Sequence, residues 1–464
     1  MDGTDASNHT RAAAASALLL MALAAGCQDE PDEARPDPRL EPVEEAAPQV
    51  EDVGAALAED ATTSEREHSV VAPASDVMFD WIATHCHVDE VGFSGYSKAW
   101  MGWVYRDDLV FNQFMPPEAP RPKFRPWTFP MEGSPEAAER VEAIREAWFA
   151  EPGSHIVDCR FSFERRDCPD CVPLKKRGLV KHGGFIAYIP EALLTEPERV
   201  RSLLLLIPGA RGGRARYFLT PIPGKSVKDF DYGGLEVKRH LDELIKAHPE
   251  YSPPLVVAID HAGWTTANGP IEFITHDVMR RVVDNFLGGV QLDRLAVGAD
   301  GISAGARASV MVAARHPDLL NTIGLVSTHC GHAGLGGGVS ASYFGETPEE
   351  QARLLDELVE RHREGLFHLR MVQGNRDNWE CMKSFQQVFV DAGMFPDQEP
   401  ALSDCRDGHD PGPNWCRAVW PGLELVRDHG HGYEMLLPIW RRQLQWQLEA
   451  LTSVVSTIDR QADE

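Results

Sequence analysis

The stretch Leu295–Ser327, LAVGADGISAGARASVMVAARHPDLLNTIGLVS, decides the fold. Its opening, Leu295–Ala299, is a short apolar run suited to a buried parallel strand. Ala304–His316 carries apolar residues at helical spacing and stops at Pro317, and Thr322–Ser327 is strand-like again. Between the first two segments lies Gly301-Ile302-Ser303-Ala304-Gly305. A serine that attacks a carbonyl must project from a tight strand-to-helix bend, and small residues two positions to either side let the backbone cross there without a clash. Ser303 is therefore the candidate nucleophile; the alternative reading is a small residue at a tight turn.

Working outward from that stretch, strand and helix patterns alternate from Gly183 onward. Strands are predicted at Gly184–Ile189, Ser202–Ile207, Leu255–Ile259, Leu295–Ala299, Thr322–Ser327, Phe367–Val372 and Leu423–Val426. Helices fall between them, as at His276–Leu287, where Val278, Met279, Val282, Val283 and Phe286 form one apolar stripe. The alternation predicts the α/β class, a mostly parallel sheet with helices on both faces. In such sheets ligands and catalysis collect at the carboxyl ends of the strands. Gln373-Gly-Asn-Arg-Asp377 follows one strand, and Arg427-Asp-His-Gly-His-Gly-Tyr433 follows the last. Asp377 is thus the candidate acid and His431 the candidate base. Asp377 also suits a helix cap, Asp300 and Asp260 are rival acids, and His429 is the rival base. The chain order is serine, acid, histidine.

Leu295–Ser327 resembles the esterase-D and enterochelin-esterase-like branch of the α/β-hydrolase superfamily, in which a nucleophile elbow leads into a helix ending in a similar His-Pro-Asp-Leu. The resemblance spans roughly Gly183 to Leu451. It implies that Ser303 attacks an ester carbonyl, that His431 takes and later returns the proton, and that Asp377 holds the imidazole. His431 is favoured because His-Gly-Tyr resembles the family's His-Gly-aromatic. Ile207-Pro-Gly-Ala-Arg-Gly-Gly213 stands where the family has His-Gly, with Pro208 in place of the histidine. The oxyanion donors implied are the N–H groups of Ala304 and of the Pro208–Arg211 turn, with Ala210 the named donor. No metal or organic cofactor is implied. The partner is a small-molecule or polymeric ester; acyl transfer, peptide cleavage and a non-catalytic binding scaffold are the alternatives. Trp264, Tyr217, Phe218 and Phe344 suit either an acyl or aryl pocket or simple packing.

The rest of the chain fits an exported protein. The net charge of −26 over 464 residues argues against nucleic-acid binding. Ala12–Ala25 is apolar apart from Ser16, too short for a membrane span but long enough for a signal-peptide core, and it leads into Leu-Ala-Ala-Gly-Cys27. This resembles a bacterial lipobox, which predicts lipidation of Cys27 and a membrane anchor. From Gln28 to His68, fourteen Asp or Glu stand against three Arg with no aromatic residue, the composition of a solvated linker. The expected organisation is a signal peptide over 1–26, a linker over 27–70, an accessory region over 71–176 and the catalytic domain over 177–456. Eight further cysteines, at 86, 159, 168, 171, 330, 381, 405 and 416, favour disulfides in an oxidising compartment. Cys405 and Cys416 make the easiest local pair. Cys168 and Cys171 form one CxxC, which suits a structural bridge, a redox pair, or a zinc site with His85, Cys86 or His87. In the accessory region the pattern predicts one helix, with Ser134 as cap, Pro135 first, and Val141, Ile144 and Trp148 on one face. Gly334–Gly338 has no following Lys-Ser or Lys-Thr and reads as a flexible lip before a helix at Pro348–Arg363 rather than a phosphate cradle. Nothing in the pattern sets an oligomeric state.

Overall fold

The runs of β-branched and leucine residues become strands buried on both faces, and the helical stripes cover them. In the computed structural model the described residues are 75–88, 129–162, 182–209, 217–218, 235–259, 273–288, 294–328, 347–377, 379–405, 416–430 and 433–464. Cys27, the acidic segment, Cys168 and Cys171 lie outside them. In chain order the elements are α1 (Ser75–His85), β1 (Cys86–Val88), α2 (Pro135–Ala150), β2 (His155–Ser162), β3 (His182–Ile189), β4 (Ser202–Ile207), α3 (Val237–Ala247), β5 (Leu255–Ile259), α4 (Met279–Phe286), β6 (Ala296–Ile302), α5 (Ala304–Arg315), β7 (Thr322–Val326), α6 (Pro348–Arg363), β8 (His368–Gly374), α7 (Trp379–Asp391), β9 (Ala401–Ser403), β10 (Arg417–Trp420), β11 (Leu423–Val426) and α8 (Tyr433–Asp463). None of the described helices is long and apolar enough to cross a membrane.

The strands form one sheet in the order β1-β2-β3-β5-β4-β6-β7-β8-β11-β10-β9. Its middle, from β5 through β4, β6, β7 and β8 to β11, is parallel. Antiparallel strands flank it, with β3, β2 and β1 on one side and β10 and β9 on the other. The mixed but mostly parallel sheet agrees with the alternating sequence pattern. Along β4 every residue is buried. Leu203, Leu205 and Ile207 join a core with α1, α2, α4 and α5, while Leu204 and Leu206 join a second core with α3 and α8. Two-sided cover of this kind is what an apolar run without alternation requires.

The predicted helix of residues 134–150 forms as α2. Ser134 Oγ accepts from the Ala137 N–H at 3.2 Å, Pro135 opens the helix, and Val141, Ile144 and Trp148 are buried. Trp148 packs on Phe79 of α1 and stacks on His155 of β2. Thr347 caps α6 in the same way. The strands before Ser303 and Asp377 run longer than the apolar runs alone suggest: β6 reaches Ile302 and β8 reaches Gly374, because parallel neighbours pair their small and polar residues as well as their apolar ones. The helix expected at 276–287 opens as a wider π-helical turn over Phe273–Val278 before α4. β1 and β2, which sequence periodicity did not mark, are joined by the Cys86–Cys159 disulfide at directly opposed positions. That bond consumes the Cys86 thiol, so Cys86 is no zinc ligand. Cys405 and Cys416 form the expected local disulfide. Cys381 is also disulfide-bonded.

Candidate active site

Strand β6 ends at Ile302 and α5 begins at Ala304, leaving a single residue, Ser303, to turn the chain. Its backbone sits at φ 56° and ψ −114°. A residue with a side chain held so far from the helical and extended regions typically costs about 1–3 kcal/mol, so its surroundings must enforce it. They do so from two sides. The Ser303 N–H donates to Val326 O of β7 at 2.9 Å, and its carbonyl accepts from Arg307 of α5 at 3.3 Å. Gly301 packs on the backbone of Gly305 and Ala306, and Gly305 lies against the carbonyls of Ile207 and Pro208 at the end of β4. A methyl group at either glycine would overlap main-chain atoms, which explains the small residues two positions before and after the serine.

The turn after β4 comes close to Ser303 itself. A Cβ built on Gly209 would lie 3.1 Å from the Ser303 Cβ and 3.1 Å from Ile302 O. The first N–H groups of α5, from Ala304 onward, lack partners within the helix and carry its positive dipole end. Two sets of backbone groups thus approach the serine from different elements. Ala210, the other expected oxyanion donor, lies outside the described residues.

Two strands along the sheet, β8 delivers the acid. Asp377 follows a tight turn in which its N–H donates to Gly374 O at 3.1 Å, and its carbonyl accepts from Trp379 as α7 begins. Gln373 Nε2 donates to Asp377 Oδ2 at 2.6 Å. The histidine-bearing loop after β11 is fastened to this turn. Asn375 N–H donates to Val426 O at 3.0 Å and Arg376 N–H to His429 O at 2.8 Å, while Arg376 pairs with Asp428 at 3.0 Å. Gly374 is so near the His429 and Gly430 carbonyls that no side chain fits there. The acid turn and the histidine loop therefore form one unit at the carboxyl edge. His431 lies outside the described residues, two positions beyond His429. With β7 alone between β6 and β8, the ends carrying Ser303 and Asp377 are two strand spacings apart, about 10 Å.

Asp300 does not join them. It is fully buried, accepting from Gln443 Nε2 at 2.7 Å and Gln447 Nε2 at 3.0 Å of α8, and burial pushes its carboxyl from the ordinary 3.8 up to about 6. Asp260, Trp264, Phe344 and Gly334–Gly338 lie outside the described residues. Tyr217 and Phe218 are buried in the core that α8 covers, Tyr217 against Trp440, so they pack rather than line a pocket. His85 bonds Thr84 Oγ1 and stacks on Trp81, and His87 lies against Phe129. No three His, Cys, Asp or Glu side chains cluster as a metal site among the described residues. Gln373 is the site residue that sequence reasoning missed. An amide just before the glycine that ends the strand was its only signal.

No family model and no curated protein matches the chain. Among solved structures it is similar to a ferulic acid esterase, with 13% identity, a TM-score of 0.43 and coverage of 65% of this chain and 99% of that one. The feruloyl esterase module of Clostridium thermocellum, complexed with sinapinate, gives 12% identity and a TM-score of 0.41, covering 65% and 88% of the two chains. An S-formylglutathione hydrolase from Staphylococcus aureus gives 12% and 0.36, covering 64% and 98%.

Proposed function

We propose that this chain is a serine hydrolase of the α/β-hydrolase type that cleaves carboxylic esters through an acyl-enzyme. The observation that carries the reading is the backbone of Ser303, held at φ 56° between β6 and α5, with the turn after β4 so near that a Cβ added at Gly209 would lie 3.1 Å from the Ser303 Cβ. Conformational strain at a serine, enforced by a hydrogen bond on one side and two glycines on the other, serves to expose its hydroxyl at the edge where ligands collect.

In this mechanism His431 removes the Ser303 proton as Oγ attacks the ester carbonyl, and returns it to the leaving alcohol. Asp377 fixes the imidazole tautomer and stabilises its cation. A separation of about two strand spacings between the serine and acid ends suits an imidazole and its two hydrogen bonds. Negative charge on the carbonyl oxygen is met by the Ala304 N–H, aided by the α5 dipole, and by the turn that holds Gly209 and Ala210. Each such donor is typically worth about 3 kcal/mol in the transition state. Water then releases the acid. The Cys86–Cys159 and Cys405–Cys416 disulfides support an exported enzyme, and Cys27 is its lipid attachment point.

A panel of p-nitrophenyl esters of rising chain length tests the reading. The wild type should turn over at least the short members, and Ser303→Ala should fall by roughly 10³-fold or more. Turnover that Ser303→Ala retains in full would refute it.

A further inference from the structure

We propose that Gln373 is a positioning residue for this hydrolytic site, clamping the Asp377 carboxylate to the exit of the strand that also anchors the nucleophile. The inference rests on the serine-hydrolase reading and extends it to a residue outside the expected triad. Gln373 is fully buried on β8, one residue before the acid turn. Both ends of its amide are engaged. Nε2 donates to Asp377 Oδ2 at 2.6 Å, and Oε1 accepts from the Thr328 N–H at 2.9 Å.

Thr328 needs that acceptor for a local reason. β7 ends at Val326, and Ser327 turns out of the sheet at φ 50°, its own N–H still held by Val372 O at 2.9 Å. The next N–H, that of the fully buried Thr328, has left the strand ladder, and a buried donor without a partner is costly. The Gln373 carbonyl oxygen supplies the partner. Val326, two residues earlier, accepts the Ser303 N–H. A continuous path therefore runs from the nucleophile backbone through the end of β7 to the amide and on to one oxygen of the acid. With Oδ2 fixed by a charge-assisted bond, the carboxylate cannot rotate freely, and the orientation it presents to the imidazole is set. Only an amide makes both contacts, since a carboxylate lacks the donor and an aliphatic side chain lacks both.

The test is the limiting rate of Ser303 phosphonylation by a fluorophosphonate, and the concentration giving half that rate, on the full chain. Gln373→Glu keeps an oxygen for Thr328 and replaces the donor to Asp377 by a second carboxylate, which removes that bond and adds like-charge repulsion; Gln373→Met removes both contacts without adding charge, and melting curves verify folding. Gln373→Glu should lower the limiting rate by at least about tenfold, the lower end of what one hydrogen bond to a charged group is worth, with the carboxylate repulsion adding to the loss and little change in half-saturation. In an Asp377→Ala background the same substitution should cost less than about twofold, because its effect runs through the acid. Gln373→Glu labelling at the wild-type rate with only Gln373→Met impaired would make Gln373 a mere support for the Thr328 turn and overturn the proposal. A loss that persists in full in the Asp377→Ala background would overturn it too. Both leave wild-type labelling intact, whereas a wild type that never labels at Ser303 removes the hydrolase reading along with this one.

Discussion

Replacing Asp300 by Asn should make the protein more stable at neutral pH, and the gain should vanish in acid. Asp300 Oδ2 is held by Gln443 and Gln447, whereas Asp300 Oδ1 and Gln443 Oε1 are both buried without a hydrogen-bond partner. An ionised carboxylate therefore buries its charge with one oxygen unpaired, whereas protonation removes the charge. Burial raises the carboxyl to about 6 from 3.8, against the hydrogen bonds from the two glutamines and the positive charge of Arg370. Because the folded value lies above the unfolded one, the group's contribution is fully present below about pH 3.8 and is lost as pH rises through about 6. A shift of roughly 2 units corresponds to about 3 kcal/mol lost by pH 8, nearly all of it after pH 4. Asn has nearly the same shape, buries no charge and does not titrate. Urea unfolding followed by tryptophan fluorescence between pH 4 and 8 should show the difference between Asp300→Asn and wild type growing by roughly 2–3 kcal/mol. Other groups cancel in that difference. Parallel stability curves across the range would refute the reasoning.

Gly305→Val should abolish Ser303-dependent activity and lower the melting temperature, since its side chain would overlap the Ile207 and Pro208 carbonyls; activity assays beside circular dichroism check both. Trp148→Ala should destabilise by about 3–5 kcal/mol in urea, because Trp148 ties α2 to Phe79 and His155 in a closed core. Replacing Cys405 and Cys416 together by Ser should cost roughly 2–3 kcal/mol in urea unfolding, because the bridge closes a short loop. Fatty-acid labelling of cells should tag the wild type and not Cys27→Ala.

The C-terminal part of the fold was legible because β4, β5 and β7 are mostly apolar and buried at every position, a pattern only two-sided cover can bury. The N-terminal part was not. Strand β2 places Asp158 and Arg160 among its apolar residues, and its partner β1 has three residues, so neither carries a periodic signal; register and a disulfide define them. At the candidate site, the tight turn at Ser303 was readable because its steric demand falls on neighbours in sequence. The place of Asp377 at a strand's carboxyl end was readable from the strand before it. Gln373 was not, because its role depends on Thr328 and Asp377 meeting across the ends of two strands, a relation that sequence spacing does not encode.

The central claim is that Ser303 is an activated nucleophile. Peptide mapping after treatment of the native protein with a fluorophosphonate tests it directly. A single adduct should appear on the peptide containing Gly301–Gly305, and it should be absent from Ser303→Ala and from heat-denatured wild type. An adduct on another residue, or equal labelling of Ser303→Ala, would contradict the account.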